Sequence, residues 1–154
     1  MAVLLDVNVL IALVDEDHVG YDIVQEWFLR RQSDGWATCP ITENGMIRVL
    51  SQPAYASGQR RPSEVLDVLA ELKSKFRSSH EFWADDISLT DDSVFDTFLI
   101  AGARQITDVY LLGLASHHKG TFASFDRSLT WRAVRGASAD LVEQLPSNSE
   151  SRLH

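Results

Sequence analysis

Short apolar runs alternate along this chain with longer segments in which apolar residues recur every three or four positions. The runs are too brief for helices and are bounded by polar or turn-forming residues, which is typical of buried strands. They lie at 2–6, 36–39, 82–84, 121–125 and 140–145.

The longer segments predict amphipathic helices. Residues 18–31 are the clearest case, because their apolar side chains keep the helical spacing until the polar stop at 33–35. Further helices are predicted at 9–14 and 43–50, from Pro62 to about Phe76, and from an N-cap at Thr107 to a terminator at Gly120. Residues 53–61 predict a loop, and residues 85–98 fit neither pattern.

Strands that alternate with helices indicate a parallel sheet covered on both faces, which is a three-layer α/β domain. Right-handed crossovers place the carboxyl ends of all parallel strands at one edge of the sheet. We expect one domain over residues 1–146, followed by a polar C-terminal tail at 147–154.

Composition is that of an ordinary globular protein, with 45% hydrophobic and 23% charged residues in a chain of 154. The longest apolar run, 9–14, is too short to span a bilayer, and no basic region precedes an apolar stretch at the N-terminus. The one cysteine, Cys39, has apolar neighbours and predicts a buried structural thiol. These features predict a cytoplasmic protein without a membrane partner.

The formal net charge is −8, from 22 acidic and 14 basic residues. Proteins that bind nucleic acid are usually basic, so this balance argues against a nuclease. The charge is uneven, however, because acidic groups at 15–17, 85–86 and 91–92 stand apart from basic ones at 30–31, 60–61, 73–77 and 127–135. Each group taken singly fits a solvated helix face.

Four carboxylates lie where the predicted elements begin or stop. Asp6 ends the first strand, Glu43 follows the second, Asp108 opens an apolar helix, and Asp126 follows the strand at 121–125. Each has an ordinary explanation alone, such as a helix cap or a turn. Together they fall at one sheet edge, where two like charges about 4 Å apart repel by roughly 4 kcal/mol at an effective dielectric near 20. Either some of them are protonated or a cation binds.

Oxygen ligands select Mg²⁺ or Mn²⁺ over zinc. None of the five histidines has metal-site spacing beside these acids, and the pair His117 and His118 lies at the far end of its helix from Asp108. We therefore expect that pair on the surface. A divalent cation lowers the pKa of water and neutralises charge on a phosphate, so the four acids favour metal-assisted phosphodiester hydrolysis.

Two other phosphate chemistries use an aspartate at the end of the first strand. Phosphatases of the haloacid-dehalogenase type need an acid two residues later, and that position is Asn8 here. Receiver domains place an acidic pair ahead of the aspartate, and no acidic residue precedes Asp6. Both classes are disfavoured.

With these positions identified, the chain resembles a PIN-domain ribonuclease of the VapC toxin type over about residues 2–145. The four blocks that carry the resemblance are Leu4 to Leu10 with Asp6 and Asn8, Thr42-Glu43 with the stretch to Pro53, Ile106-Thr107-Asp108 with the apolar helix to Ala115, and Ala123 to Arg127 with Ser124 and Asp126. Each block alone is weak, but four in this order and spacing are specific.

The resemblance implies a central sheet of about five parallel strands, Mg²⁺ or Mn²⁺ dependence, and endonucleolytic cleavage of RNA. It also implies a homodimer and neutralisation by a cognate antitoxin protein. Asp6 and Asp108 would be direct metal ligands, and Asp126 would complete the site directly or through water. Glu43 would orient the attacking water or hold a second ion. Asn8 and Ser124 would support the ligands by hydrogen bonds.

Several questions stay open at this stage. Asp96 could join the site, or could belong to an acidic cluster at a helix start. The loop at 57–61, with its two arginines, is a candidate contact for RNA or antitoxin. A non-catalytic module of the same fold, whose acidic pocket binds a basic partner segment, is the rival interpretation. A nuclease directed at DNA is a third, because metal and carboxylates do not distinguish the two sugars.

Overall fold

The computed structural model describes residues 1–147 and contains five strands and five α-helices, joined by loops and short 3₁₀ turns. The chain order is β1 (Val3–Leu5), α1 (Val7–Val14), α2 (Tyr21–Arg31), β2 (Trp36–Thr38), α3 (Pro40–Leu50), α4 (Pro62–Lys75), β3 (His80–Phe82), α5 (Ile106–His117), β4 (Thr121–Ser124) and β5 (Val142–Gln144). The tail predicted at 147–154 falls outside the described residues, apart from Ser147.

All five strands are parallel, in the order β3-β2-β1-β4-β5. β1 lies at the centre, and its three residues are fully buried because both faces are covered. Val3 and Leu5 point into one core with α1 to α4, whereas Leu4 points into a second core with α5. The three-layer α/β fold and its five-stranded parallel sheet are confirmed.

Several predicted boundaries are wrong: α1, α2 and α3 begin two or three residues away from the predicted positions, and β3 and both ends of α5 also differ. The third strand is His80–Phe82, two residues earlier than expected, because this edge strand is half exposed and lacks a continuous apolar run. Thr107 lies inside the first turn of α5, whose N-cap is Gln105 without a side-chain bond. After α5 the left-handed residue is Lys119, at φ 58°, and not Gly120.

Gly120 is required for a different reason. A Cβ at this position would lie 2.3 Å from the Ala2 carbonyl oxygen and 2.8 Å from the Trp83 ring. The chain enters β4 here beside the start of β1, and Thr121 N–H donates to the same Ala2 carbonyl at 3.0 Å. Close packing of two backbones therefore selects glycine.

The segment between β3 and α5 is irregular. It is fixed at one point by an isolated antiparallel bridge between Phe95 and Val134. The Phe95 ring is fully buried against Gly113 of α5, whereas Phe98 is 97% exposed. Cys39 is a buried free thiol, as predicted. Among residues 1–147, no helix is long and apolar enough to cross a membrane.

Candidate functional site

Two neighbouring strands bring the first and last of the four acids together. β1 and β4 are adjacent and parallel, with Leu5 opposite Ala123, so their carboxyl ends share one edge. Asp6 follows β1 and donates its N–H to the Ala123 carbonyl at 3.0 Å. Asp126 lies two residues beyond Ser124, the last residue of β4.

Asp6 is held by two hydrogen bonds and is only 8% exposed. One carboxylate oxygen accepts from the Val7 N–H at 2.8 Å, which caps α1, and the other accepts from the Ser124 hydroxyl at 2.7 Å. Ser124 Oγ in turn accepts the Asp126 N–H at 3.0 Å. Ser124 thereby links the two acids and fixes the orientation of Asp6.

The third member, Asp108, lies in the first turn of α5, which packs against β4 and β1. Burial raises its pKa, and the nearby charges of Asp6 and Asp126 raise it further, to about 6. The pKa of Asp6 is also raised, chiefly by burial and to a smaller extent by Asp126. The negative charge of Asp126 therefore acts on both Asp6 and Asp108, which groups the three carboxylates at this edge.

Asp126 is the exposed member of the three. Its Oδ1 accepts from both the backbone N–H and the hydroxyl of Ser128, at 2.8 and 2.7 Å. Beside it lies a cavity of about 310 Å³ whose wall also carries Asp108 and Arg104. The cavity gives a ligand direct access to two carboxylates and one guanidinium.

Glu43 does not interact with these three acids in the residues that the structure describes. It lies in the first turn of α3, where its Oε1 accepts from Lys73 Nζ of α4 at 2.6 Å and from Thr38 Oγ1 at 3.3 Å. Thr38 Oγ1 is also 2.8 Å from His80 Nε2. Lys73 therefore neutralises the charge of Glu43 in an ion pair between α3 and α4.

The remaining candidates have weaker links to the site. Asn8 is exposed in the first turn of α1. Asp96 forms hydrogen bonds through its backbone, and its N–H donates to the Ala133 carbonyl at 2.8 Å. The structure places neither side chain in contact with the three acids.

The loop at 57–61 is tied down by the carboxyl end of α1. Buried Asp15 accepts from the Tyr55 hydroxyl at 2.5 Å, from Ser57 Oγ at 2.9 Å and from Arg60 Nη2 at 3.2 Å. Arg60 is thus engaged by an internal acid, while Arg61 is exposed.

Sequence reasoning missed Lys73, Arg104 and Ser128. The spacing of Asp126 and Ser128 carries a signal, because an aspartate commonly accepts from the residue two positions later in a turn. Lys73 lies on a helix remote in sequence from Glu43, and Arg104 lies only four residues before Asp108. No local pattern distinguishes either of them from other surface cations.

The donor set fits a hard divalent cation. The three carboxylates supply oxygen ligands only. Burial and neighbouring negative charge raise the pKa values of Asp6 and Asp108, so a bound cation would favour their ionised forms. Partial exposure of Asp108 and Asp126 leaves room for water ligands.

Comparison with known proteins identifies the family. The PIN domain family matches residues 3–135. Ribonuclease VapC44 of Mycobacterium tuberculosis is 43% identical over 138 residues, covering 90% of this chain and 95% of the relative. Ribonuclease VapC39 of the same organism is 39% identical over 145 residues, covering 94% of this chain and 100% of the relative.

A solved structure shares the fold at low sequence identity. VapBC2 from Rickettsia felis, bound to a DNA fragment from its promoter, aligns over 95% of this chain with a TM-score of 0.51 and 13% identity. The family match covers most of the chain, and the similarity to the two mycobacterial ribonucleases extends over nearly all of it. The chain therefore belongs to the PIN-domain family and, within it, to the VapC ribonucleases.

Proposed function

We propose that this protein is a Mg²⁺- or Mn²⁺-dependent endoribonuclease that acts as the toxin of a toxin–antitoxin pair. The observation that carries the proposal is the group of three mutually repelling carboxylates, Asp6, Asp108 and Asp126, beside an open cavity. The names of its relatives, ribonucleases of the VapC type, support the reaction.

Asp6, Asp108 and Asp126 are the proposed metal ligands. A bound divalent cation would supply charge neutralisation for the scissile phosphate and a lowered pKa for water. The hydroxyl of Ser124 keeps one Asp6 oxygen oriented, which preserves the spacing of the ligands. Arg104, on the wall of the cavity, offers a guanidinium to a neighbouring phosphate of the RNA.

Glu43 has a supporting role in this proposal, either orienting the attacking water or holding a second ion. Its ion pair with Lys73 limits that role, because the lysine must release the carboxylate before the latter can engage a cation. Asn8, exposed beside Asp6, is proposed to form hydrogen bonds to the ligands or to the RNA backbone.

The proposed partners are RNA and a cognate antitoxin protein, with the toxin itself a homodimer in the cytoplasm. The solved structure from Rickettsia felis is a VapBC complex of toxin and antitoxin, bound to promoter DNA. That assembly supports an antitoxin partner for this chain. The exposed apolar side chains Phe98, Leu99 and Ile106, close to the start of α5, are available for such a contact.

The first test compares Asp6→Asn and Asp108→Asn with the unchanged protein on a labelled RNA, with Mg²⁺, Mn²⁺ or a chelator. We expect cleavage to fall by at least about 100-fold in each variant, because each removes one ligand of the cation. Asp67→Asn, on the exposed face of α4, is the matched control and keeps full activity.

Chelator-resistant cleavage retained in both variants would contradict the proposal. Binding of an arginine-rich peptide, without cleavage of any RNA in Mn²⁺, would favour the non-catalytic module instead. A deoxyribonucleotide strand of the same sequence, included in each assay, distinguishes RNA from DNA as the substrate.

A further inference from the structure

A second group of metal-binding side chains lies at the opposite end of α5 from Asp108. His117 is the last residue of that helix and His118 caps it, while Asp86 comes from the irregular segment after β3. The ligand atoms of the three residues all lie within 4.8 Å of one another. Nothing in the proposed cleavage reaction uses these residues.

The distances suit a shared ion better than direct hydrogen bonds. Asp86 Oδ1 is 3.7 Å from His117 Nε2 and 3.6 Å from His118 Nε2. Hydrogen bonds between nitrogen and oxygen are about 2.7–3.2 Å long. Two ligands at about 2.0–2.1 Å from a tetrahedral Zn²⁺ are separated by roughly 3.3–3.4 Å, so small movements would complete such a site.

His118 provides an independent observation. Its Nε2 atom is buried and has no hydrogen-bond partner in the part of the chain that the structure describes. Buried polar atoms are nearly always satisfied, and the His118 side chain is 24% exposed, so this nitrogen is available to a bound ion. The Trp83 ring stacks on the imidazole, with centroids 4.5 Å apart and planes 6° apart, and holds it with Nε2 directed toward Asp86.

We propose that Asp86, His117 and His118 bind a divalent transition-metal ion, with Zn²⁺ as the expected ion. Two imidazole nitrogens and one carboxylate favour zinc, copper or nickel over magnesium, unlike the all-oxygen group around Asp108. Asp86 and His117 are half exposed and leave the outer side open to water ligands. The ion would fasten the segment after β3 to the end of α5.

The proposal is independent of RNA cleavage and can be tested without it. Tag-free full-length protein is titrated with ZnCl₂ in excess Mg²⁺ by calorimetry, and with CoCl₂ by visible absorption. We expect one Zn²⁺ per chain and a Co²⁺ spectrum of low coordination number. Asp108→Asn keeps this site, because it alters only the carboxylate group at the other end of the helix.

His118→Ala and His117→Gln are each expected to weaken Zn²⁺ binding at least tenfold. His117 is exposed, so its replacement leaves the core intact if removal of His118 disturbs the packing of Trp83. His18→Asn is the matched control, because it removes an imidazole elsewhere but retains an acceptor for the Gly20 N–H. Unchanged affinity in both test variants, absence of Zn²⁺ binding in excess Mg²⁺, or loss of the site in Asp108→Asn would overturn the proposal.

Discussion

Asp108 combines a half-buried carboxylate with two acidic neighbours, and its pKa of about 6 records the cost of ionising it. The folded pKa lies above the ordinary aspartate value of 3.8, so the folded protein binds the proton more tightly than the unfolded chain does. Without a cation, the contribution of Asp108 to the free energy of unfolding is therefore fully present below pH 3.8 and is lost as the pH rises to about 6.

The first residue-scale prediction concerns Asp108→Asn in the presence of a chelator. The variant should be more stable than the unchanged protein at pH 7.5 by about 1 kcal/mol, a value discounted for the partial exposure of this group. The difference should vanish well below pH 3.8, where Asp108 is protonated in both states. Chemical denaturation at the two pH values measures it, and Asp67→Asn serves as control. A variant that is less stable at pH 7.5 would indicate that Asp108 has a structural role.

At the scale of elements, the ion pair between Glu43 and Lys73 joins α3 to α4. Both side chains are largely covered, with 13% and 32% of their surfaces exposed. Removal of one partner leaves the other partly buried without its countercharge, which is more costly than removal of both.

We predict a coupling free energy of about 1–2 kcal/mol in the double-mutant cycle of Glu43→Gln and Lys73→Met, measured by urea denaturation. Each single variant should be destabilised, and the double variant by less than the sum. Lys75→Met is the control, because this lysine is exposed at the end of the same helix. If the stability changes of the two single variants simply add in the double variant, the ion pair contributes no coupling free energy.

Gly120 gives the second prediction at this scale. Gly120→Ala should lower the free energy of unfolding by about 1–3 kcal/mol, because its Cβ would clash with the backbone of Ala2 at 2.3 Å. Gly102→Ala is the control, since its backbone is extended and no atom lies within 4 Å of the added Cβ. Equal thermal stability of the two variants would be inconsistent with close packing of the chain at this point.

The sequence predicts the central strands of the sheet better than its edge strand. β1 and β4 were predictable because their apolar runs are short and sharply bounded, and their chain positions place Asp6 and Asp126 at strand ends. The predicted position of β3 is two residues too late. This strand lies at the edge of the sheet, and its residues His80, Glu81 and Phe82 are not buried, so they form no apolar run that marks a strand.

Side-chain partners were the part that could not be predicted. Glu43 occupies a helix next to the sheet edge as expected, yet its direction is set by Lys73, which is thirty positions away on another helix. The histidines at the end of α5 gain Asp86 in the same non-local way, and the expectation that they are merely surface residues misses this cluster. Backbone position follows from local pattern, whereas these pairings depend on tertiary packing.

On the scale of the whole molecule, a net charge of −8 repels a polyanion, so under the proposed function a bound cation would reduce that repulsion at the site. We predict that Mg²⁺ at 100 times its dissociation constant stabilises the fold by about 2.7 kcal/mol at pH 7.5. The stabilisation should decline between pH 6 and pH 5, because protonation of Asp108 competes with the ion.

Thermal melts over a Mg²⁺ series at several pH values test this prediction. Asp108→Asn should lose most of the Mg²⁺-dependent rise in Tm, whereas Asp67→Asn should retain it. A rise that is the same in Asp108→Asn would place the stabilising ion elsewhere on the surface.

The hydrogen bond between Ser124 and Asp6 spans 118 positions of the chain. During synthesis the first strand therefore emerges long before β4, the neighbour that orients its terminal acid, has been made. A nascent chain that has reached only α5 contains Asp6 and Asp108 but lacks β4, the strand that contacts both β1 and α5. Under the proposed function, a chain that ends before β4 lacks both Ser124 and Asp126, so it should not cleave RNA.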